Sequence, residues 1–371
     1  MDDSDPDRSS DEDQDDLEDL LFVQMLEEIS RLQPDQEMPQ IPHNPVPRYI
    51  VNPGGPSAAA AKAQRLLRGS PARFFRIFRV PRGVFDELVE WLRENTALKD
   101  TKWQTLEQKV MIFLYVIGQG VSQHLAADFF EISQSTVSVV VTAAAEAFLK
   151  LHVHFVRLPD DSFISPETIA QRSSQYFHGC IGAVDGTHLA AYIPSEEQRK
   201  WYNRKSLISQ NVLCAVQLDG TFSYILASCE GSVNDASLMR HACSKSLKIP
   251  KNRFYVGDAG FGSRQGLIVP YAGVRYHLND WKITHDGPQD EKELYNLRQS
   301  RLRIIVELAF GRVKRKFQIL RCGAPEYSIY KQILFIYACT GLMNFISSCK
   351  ANEEADEEDK EEREVLEEVR D

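Results

Sequence analysis

From Cys180 the chain reads CIGAVDG (180–186), and from Ser209 it reads SQNVLCAVQLDGTFSYILASCEG (209–231). The first is an apolar run ending in Asp185-Gly186. The second is two β-runs joined at Asp219-Gly220, a dipeptide of tight hairpin turns. NDASLMRHACSKSL (234–247) then reads as a helix with Asn234 or Asp235 at its cap. RFYVGDAG (253–260) is another buried strand, closing in Asp258, and RLRIIVELAFGRVKRKF (301–317) is a long helix. Strand, hairpin strands, helix, strand, helix predict an α/β fold built on a mixed sheet with flanking helices.

Upstream the pattern is helical. VFDELVEWLRENTAL (84–98) sets Phe85, Leu88, Val89 and Leu92 at spacings of three and four, one apolar face. TLEQKVMIFLYVIGQG (105–120), VSQHLAADFF (121–130) and EISQSTVSVVVTAAAEAFLKL (131–151) follow. Gly118 and Gly120 stop the first, and Ser133 is placed to cap the third. Three helices with a tight turn before the last make a helix-turn-helix outline. Gln134, Ser135, Thr136 and Ser138 then fall in the first turns of the recognition helix, where base edges would be met. Against this, no Lys or Arg occurs between Gln134 and Leu149, Glu131 and Glu146 flank the helix, and many three-helix units serve only as scaffolding.

The whole chain of 371 residues carries a formal net charge of −10, unevenly spread. Residues 1–40 hold fifteen acids against two bases and residues 351–371 twelve against three, which leaves +12 on the middle. Self-repelling acid blocks bury little and are expected to be disordered tails. A basic body suits a polyanionic partner. Four regions are expected: an acidic tail and Pro-rich linker over 1–70, a helical helix-turn-helix-like domain over 74–155, the mixed-sheet domain over 178–346, and an acidic tail over 351–371. Within the first, residues 17–32 could form a short amphipathic helix. No run approaches twenty uninterrupted apolar residues and the start is acidic, so neither a membrane span nor a secretory signal is expected. Seven scattered cysteines without a CxxC pair point to a reducing compartment and away from disulfides or a thiolate zinc site.

Asp185, Asp258 and Glu307 stand out as candidate catalytic and metal-holding residues. Strand ends are where sheets with flanking helices bind ligands, so Asp185 and Asp258 would face one crevice if their strands are neighbours. Each also reads as an ordinary turn residue. On the late helix Leu302, Ile305, Val306, Ala309, Phe310, Val313 and Phe317 share a stripe, with Glu307 at its rim beside Arg303 and Lys314. An exposed Arg303–Glu307 pair would contribute roughly 0.3–0.5 kcal/mol. A carboxylate at the rim would instead reach a metal held by the two aspartates. Hydrolysis of a phosphodiester calls for an activated water and a neutralised leaving oxygen, which two Mg²⁺ or Mn²⁺ ions about 4 Å apart supply. Such hard ions want oxygen ligands.

GAVDGTH, WYNRKSLISQNVL, CEGSVNDASLM, YVGDAGF and NLRQSRLRIIVELAFGRVKRKF together resemble successive blocks of the PIF/Harbinger-type DDE transposases, including the transposase-derived Harbinger nucleases, with fungal members the nearest in look. The resemblance runs from about residue 84 to about residue 345. It implies an RNase H-like fold, a divalent metal (Mg²⁺ or Mn²⁺), and a DNA endonuclease or transposase whose three acids fall on Asp185, Asp258 and Glu307. Asp235 matches a further family acid that could ligate metal or simply cap its helix. His188 follows the first acid and is expected to shape the site. Gln299-Ser300 and Val306-Glu307-Leu308 depart from the family pattern, where a His follows Asn-x-Arg and an Arg follows the Glu. A Myb-like accessory protein for DNA binding and nuclear entry is also implied.

The remaining candidate DNA contacts are Arg199, Lys200, Arg204 and Lys205 after the first acid, and Lys314, Arg315 and Lys316 on the last helix. They are read as phosphate contacts that position a strand without reading it, or as solvated charge. Trp201 and Tyr202 could stack on unpaired bases or pack in the core. The expected function is a metal-dependent nuclease acting on DNA, with strand transfer as a further step. The alternative is a domesticated binding factor that no longer cuts. DNA, the Myb-like protein and a second copy in a homo-oligomer are the expected partners, with no membrane, and the nucleus, with the cytoplasm as alternative, is the expected location.

Overall fold

The structure is a computed structural model that describes residues 58–159, 176–275, 287–324 and 327–349, together with residues 24, 25 and 27, which are helical. The acidic tails, most of the 17–32 segment and most of the linker lie outside the described residues. The rest divides into two compact units. One takes in 58–155, 191–193 and 316–349; the other takes in the described residues within 156–190 and 194–315.

The helical unit contains α1 (Ala58–Leu67), α2 (Pro71–Phe78), α3 (Arg82–Asn95), α4 (Leu106–Gln119), α5 (Gln123–Phe130) and α6 (Gln134–Phe155). The stripe read from sequence on α3 is the one it buries: Val84, Phe85, Leu88, Val89 and Leu92. Helix α4 starts in a capping box between Thr105 and Gln108 and stops at Gly120, whose φ of 63° belongs to the left-handed region. After α5 the chain turns through Glu131, also left-handed, and Ser133 caps α6 by accepting from the Thr136 amide at 3.2 Å.

Two more helices, α9 (Gln318–Cys322) and α10 (Ile329–Ser348), complete this unit, far along the chain from the first six. Helix α10 lies directly on α6. A Cβ on Gly341 would fall 2.5 Å from the Cα of His152, so only a residue without a side chain fits there. The His152 ring, buried between the two helices, shares a 3.0 Å hydrogen bond with the Thr340 hydroxyl. Burial pushes its pKa down to about 3, so it is neutral in the folded protein. By length and composition α6 and α10 are each apolar enough to cross a bilayer, which a search for uninterrupted apolar runs passes over. Here most of each helix is buried in the protein.

The second unit is the mixed sheet, with strands β1 (Cys180–Ala190), β2 (Ser209–Gln217), β3 (Phe222–Glu230), β4 (Phe254–Val256) and β5 (Leu267–Ile268) in the order β3-β2-β1-β4-β5. The first three are antiparallel neighbours, and β4 and β5 add parallel to β1. This is the RNase H-like arrangement. Asp219-Gly220 makes the β2–β3 hairpin: Gly220 has φ 87°, and the Asp219 carboxylate accepts from the Thr221 amide at 2.8 Å. Helix α7 (Asp235–Lys245) covers one face with Leu238, Met239 and Ala242 in a cluster with Val184, Leu213, Tyr255 and Phe261. Asn234 is its cap, accepting from the Ser237 amide at 2.9 Å, which frees Asp235 from that task.

Helix α8 (Glu291–Lys316) starts ten residues before the segment singled out in sequence. Three polar residues on its first half are buried: Asn296, Gln299 and Ser300. The Asn296 amide bonds the backbone of Tyr271, and Arg312 near the far end donates to the Gly220 carbonyl at 2.8 Å. The helix is thus stitched to the loop after β5 and to the hairpin. All seven cysteines are free.

Candidate active site

The strand carrying the first acid does not end at Asp185-Gly186, as the sequence suggested. It runs on to Ala190, with Asp185 opposite Cys214 of β2. Strand β4 is shorter and stops at Val256. Ala183 pairs with Val256 in parallel, so Asp185 and Asp258 stand two residues beyond the same rung. Asp258, just past the end of β4, is near enough to Asp185 for its charge to raise that carboxyl's pKa. Asp258 also caps the short 3₁₀ turn Ala259–Phe261, so its turn role and its place beside Asp185 coexist.

Glu307 arrives from α8. Arg303, one turn earlier, donates from Nη1 to Asp185 Oδ2 at 3.1 Å and from Nη2 to Glu307 Oε1. The Arg303–Glu307 pair read as a surface feature is therefore half of a bridge from α8 to β1, with the Arg303 side chain only 12% exposed. Burial acts first on this guanidinium, yet Glu307, Asp185 and Asp258 together hold its pKa above the ordinary arginine value. Two of the acids thus bond one cation, and the third acts on it by charge. Burial pushes the Asp185 carboxyl up to about 6; Arg303 and the Gly186 amide oppose this, and Asp258 and Glu307 add to it.

Lys314 points into the same region, its ammonium donating to Thr187 Oγ1 at 2.7 Å, two residues past Asp185. Burial pushes its pKa down while Cys214 and Asp185 oppose the shift. Lys314, Arg315 and Lys316 therefore do not form one basic face: Lys314 turns inward, Arg315 is exposed, and Lys316 lies 5.4 Å from the Phe75 ring centre in the helical unit. Arg199, Lys200, Arg204 and Lys205 are all exposed, and Lys200 pairs with Glu230 at 3.1 Å. Trp201 is buried, whereas Tyr202 is 43% exposed. On α6, Ser135 and Thr136 hydrogen bond to the Ser133 hydroxyl, and Ser138 accepts from Lys331 of α10; Gln134 is partly exposed.

Asp235 opens α7 on the other face of β1. A Cβ on Gly186 would lie 2.8 Å from its Oδ1, and a Cβ on Gly260 3.1 Å from its Oδ2. It acts electrostatically on the His188 ring, whose Nδ1 is 3.1 Å from Ser209 Oγ. Burial holds His188 below the usual histidine pKa, with Asp235 opposing and Lys314, Arg204 and Lys205 assisting.

Two residues were missed in the sequence reading of the site. Arg303 had the right position but was assigned a surface role, because nothing local shows that β1 lies across from it. Gln299, noted only as a departure from the family pattern, is buried and donates from Nε2 to the Gly257 carbonyl at 2.7 Å. It holds the residue immediately before Asp258.

Hard oxygen donors with no thiolate among them suit Mg²⁺ or Mn²⁺ in chemistry. Among the described residues, however, no group of three or more His, Cys, Asp or Glu is gathered into a cage that could hold a metal ion. Asp185 and Glu307 are instead paired with the Arg303 guanidinium.

The five-stranded sheet is RNase H-like, and residues 184–344 match the model of a DDE superfamily endonuclease. Residues 58–150 match a domain of unknown function (DUF8040). The chain is 27% identical over 278 residues to human (Homo sapiens) "Putative nuclease HARBI1", covering 71% of this chain and 74% of that one. It is 23% identical over 313 residues to "Protein ALP1-like" of Arabidopsis thaliana, covering 76% and 73%. No solved structure matches. These relatives are animal and plant proteins; the likeness to fungal members rests on the sequence blocks alone.

Proposed function

We propose that this chain is a divalent-metal-dependent DNA endonuclease of the PIF/Harbinger DDE type, with Asp185, Asp258 and Glu307 as the residues that would hold the metal. The observation that supports the reading is that Asp185 of β1 and Glu307 of α8 both bond the part-buried Arg303 guanidinium, whose charge Asp258, beyond the end of β4, also feels. Carboxylate oxygens that pair with a guanidinium are also the donor type that hard divalent cations take. When bound, Mg²⁺ or Mn²⁺ supplies an activated water and neutralises the leaving oxygen. The chain's own share is positional: Arg303 holds Asp185 and Glu307 in register, Gln299 holds Asp258, and Lys314 adds positive charge beside a phosphate. Arg199, Arg204 and Lys205 are exposed and free to track a DNA backbone. Strand transfer, DNA docking through α5 and α6, a Myb-like partner, a second copy and nuclear residence extend the same reading.

Plasmid nicking tests it. Purified protein should nick supercoiled DNA with Mg²⁺ or Mn²⁺ and not in EDTA, and Asp258→Ala should abolish nicking. No metal-dependent nicking, or equal nicking by the variant, contradicts the reading. A binding factor that no longer cuts is the second reading, favoured by the way Arg303 already satisfies the acids. Calorimetry separates the two: only the nuclease should show heat of Mg²⁺ binding that depends on Asp185.

A further inference from the structure

Across β1 from Asp185 lies a cavity of about 270 Å³ with no part in metal binding or water activation as described above. Its floor is Asn211, 1% exposed, whose Nδ2 donates to the Val233 carbonyl at 2.8 Å and whose Oδ1 has no partner. Beside that oxygen is the Asp235 carboxylate. A Cβ on Gly186 would stand 2.8 Å from Asp235 Oδ1 and 3.3 Å from Asn211 Oδ1, so both acceptors pack against the same glycine and lie close to one another. Asn211 Oδ1, buried and without a partner, is costly unless an incoming group brings N–H or O–H, and the part-buried Asp235 carboxylate, with His188 on the same wall, offers a second acceptor beside it. The wall adds Tyr202, an exposed ring, and Arg204, an exposed cation.

A ligand that satisfies all of these has a flat face for Tyr202, an anionic group for Arg204 and a donor edge for Asn211 and Asp235. That is the description of a nucleotide with its base out of the stack. We propose that this cavity holds one unpaired guanine nucleotide of the DNA, next to the phosphate cut at the acidic site. Among the four bases, guanine presents adjacent N–H donors, at N1 and N2, on its pairing edge. Thymine has a single N–H between two carbonyls, which face the two acceptors unfavourably. Gly186 follows Asp185 directly on β1 and packs against Asp235 and Asn211, so the cavity and the acidic site flank the same short stretch of strand. The proposal rests on the nuclease reading for bringing DNA to this end of the sheet.

Fluorescence anisotropy of the full chain tests it with two short fluorescein-labelled strands: oligothymidylate, and the same strand with one central deoxyguanosine. In EDTA the guanine strand should bind about tenfold tighter, the discrimination of one good bidentate contact. Asp235→Asn should erase the preference. Tyr202→Ala, which removes an exposed ring and should keep the wild-type melting temperature, should weaken the guanine strand several-fold and oligothymidylate less. Equal binding of the two strands overturns the proposal, as does a preference untouched by both variants. A preference seen only with Mg²⁺ overturns it too, because the acceptors then hold a cation. Equal binding alongside metal-dependent nicking sinks the pocket alone. No binding together with no nicking sinks the nuclease reading as well.

Discussion

Arg303 Nη1 stands 3.1 Å from Asp185 Oδ2, a contact that joins residues 118 positions apart and ties the late helix to the central strand. The same guanidinium holds Glu307 and feels Asp258, so one cation organises three acids. Removing it leaves three carboxylates facing each other. Arg303→Ala should lower the melting temperature in EDTA at pH 7, at a cost of about 3–5 kcal/mol for breaking a largely buried pair. Added Mg²⁺ should stabilise the variant by a larger margin than the wild type, since ion and arginine compete for the same oxygens. Thermal denaturation with and without Mg²⁺ measures both effects, and an equal Mg²⁺ response would contradict the competition.

Asp185 sets a pH dependence. Its folded pKa of about 6 lies above the ordinary aspartate value, so the folded state binds its proton more tightly than the unfolded chain does. The sign follows from that difference: between roughly pH 4 and 6 stability contributed by this group falls as pH rises, and above 6 the ionised carboxylate is a net cost. Asp185→Asn should therefore unfold at a higher denaturant concentration than wild type at pH 8, with the gap narrowing toward pH 4.5. Urea titrations across that range check the direction.

In the helical unit, His152 gives the opposite trend. Held neutral with a folded pKa of about 3, it adds stability that is full above the free histidine value and declines as pH falls from about 6.5 toward 3. His152→Gln, still able to bond Thr340, should flatten that acid limb when unfolding is followed between pH 7 and 4.

Close approach of α10 to α6 gives a separate prediction. Gly341→Ala would drive a methyl group to 2.5 Å from His152 Cα, where backbone must move. A loss of about 1–3 kcal/mol is expected, read from urea unfolding. Gly287→Ala, with nothing within 4 Å of an added Cβ, is the control and should be silent.

Gln299 tests whether the acids are held in place from behind. Gln299→Leu removes the donor to Gly257 and leaves a buried carbonyl without a partner, at a cost of about 1–3 kcal/mol. On the nuclease reading, nicking should fall more than folded fraction, because Asp258 is the next residue. A loss of activity that merely tracks unfolding would remove Gln299 from the site.

Much of this was legible in the chain because it is local. The hairpin at Asp219-Gly220, the buried stripe of α3, the Ser133 cap and the apolar strands before Asp258 each announce themselves over a few residues. The continuation of β1 through Gly186 was not legible. Asp-Gly is the commonest of turn pairs, and what makes this one a strand is nonlocal: Gly186 is needed for the approach of Asp235 and Asn211 from other elements. The inward turn of Lys314, the buried amides of Asn296 and Gln299, and the membership of α10 in the helical unit share that cause. Each is decided by a partner distant in sequence, and a polar residue on a helix gives no sign of which partner it will meet.

The central claim is that the three acids form one cation-accepting site, and diffraction from Mn²⁺-soaked crystals addresses it most directly. An anomalous peak should appear among the oxygens of Asp185, Asp258 and Glu307, with Arg303 displaced from at least one of them. Full Mn²⁺ occupancy elsewhere, with the Arg303–Asp185 contact unchanged and no peak among the three carboxylates, would contradict it.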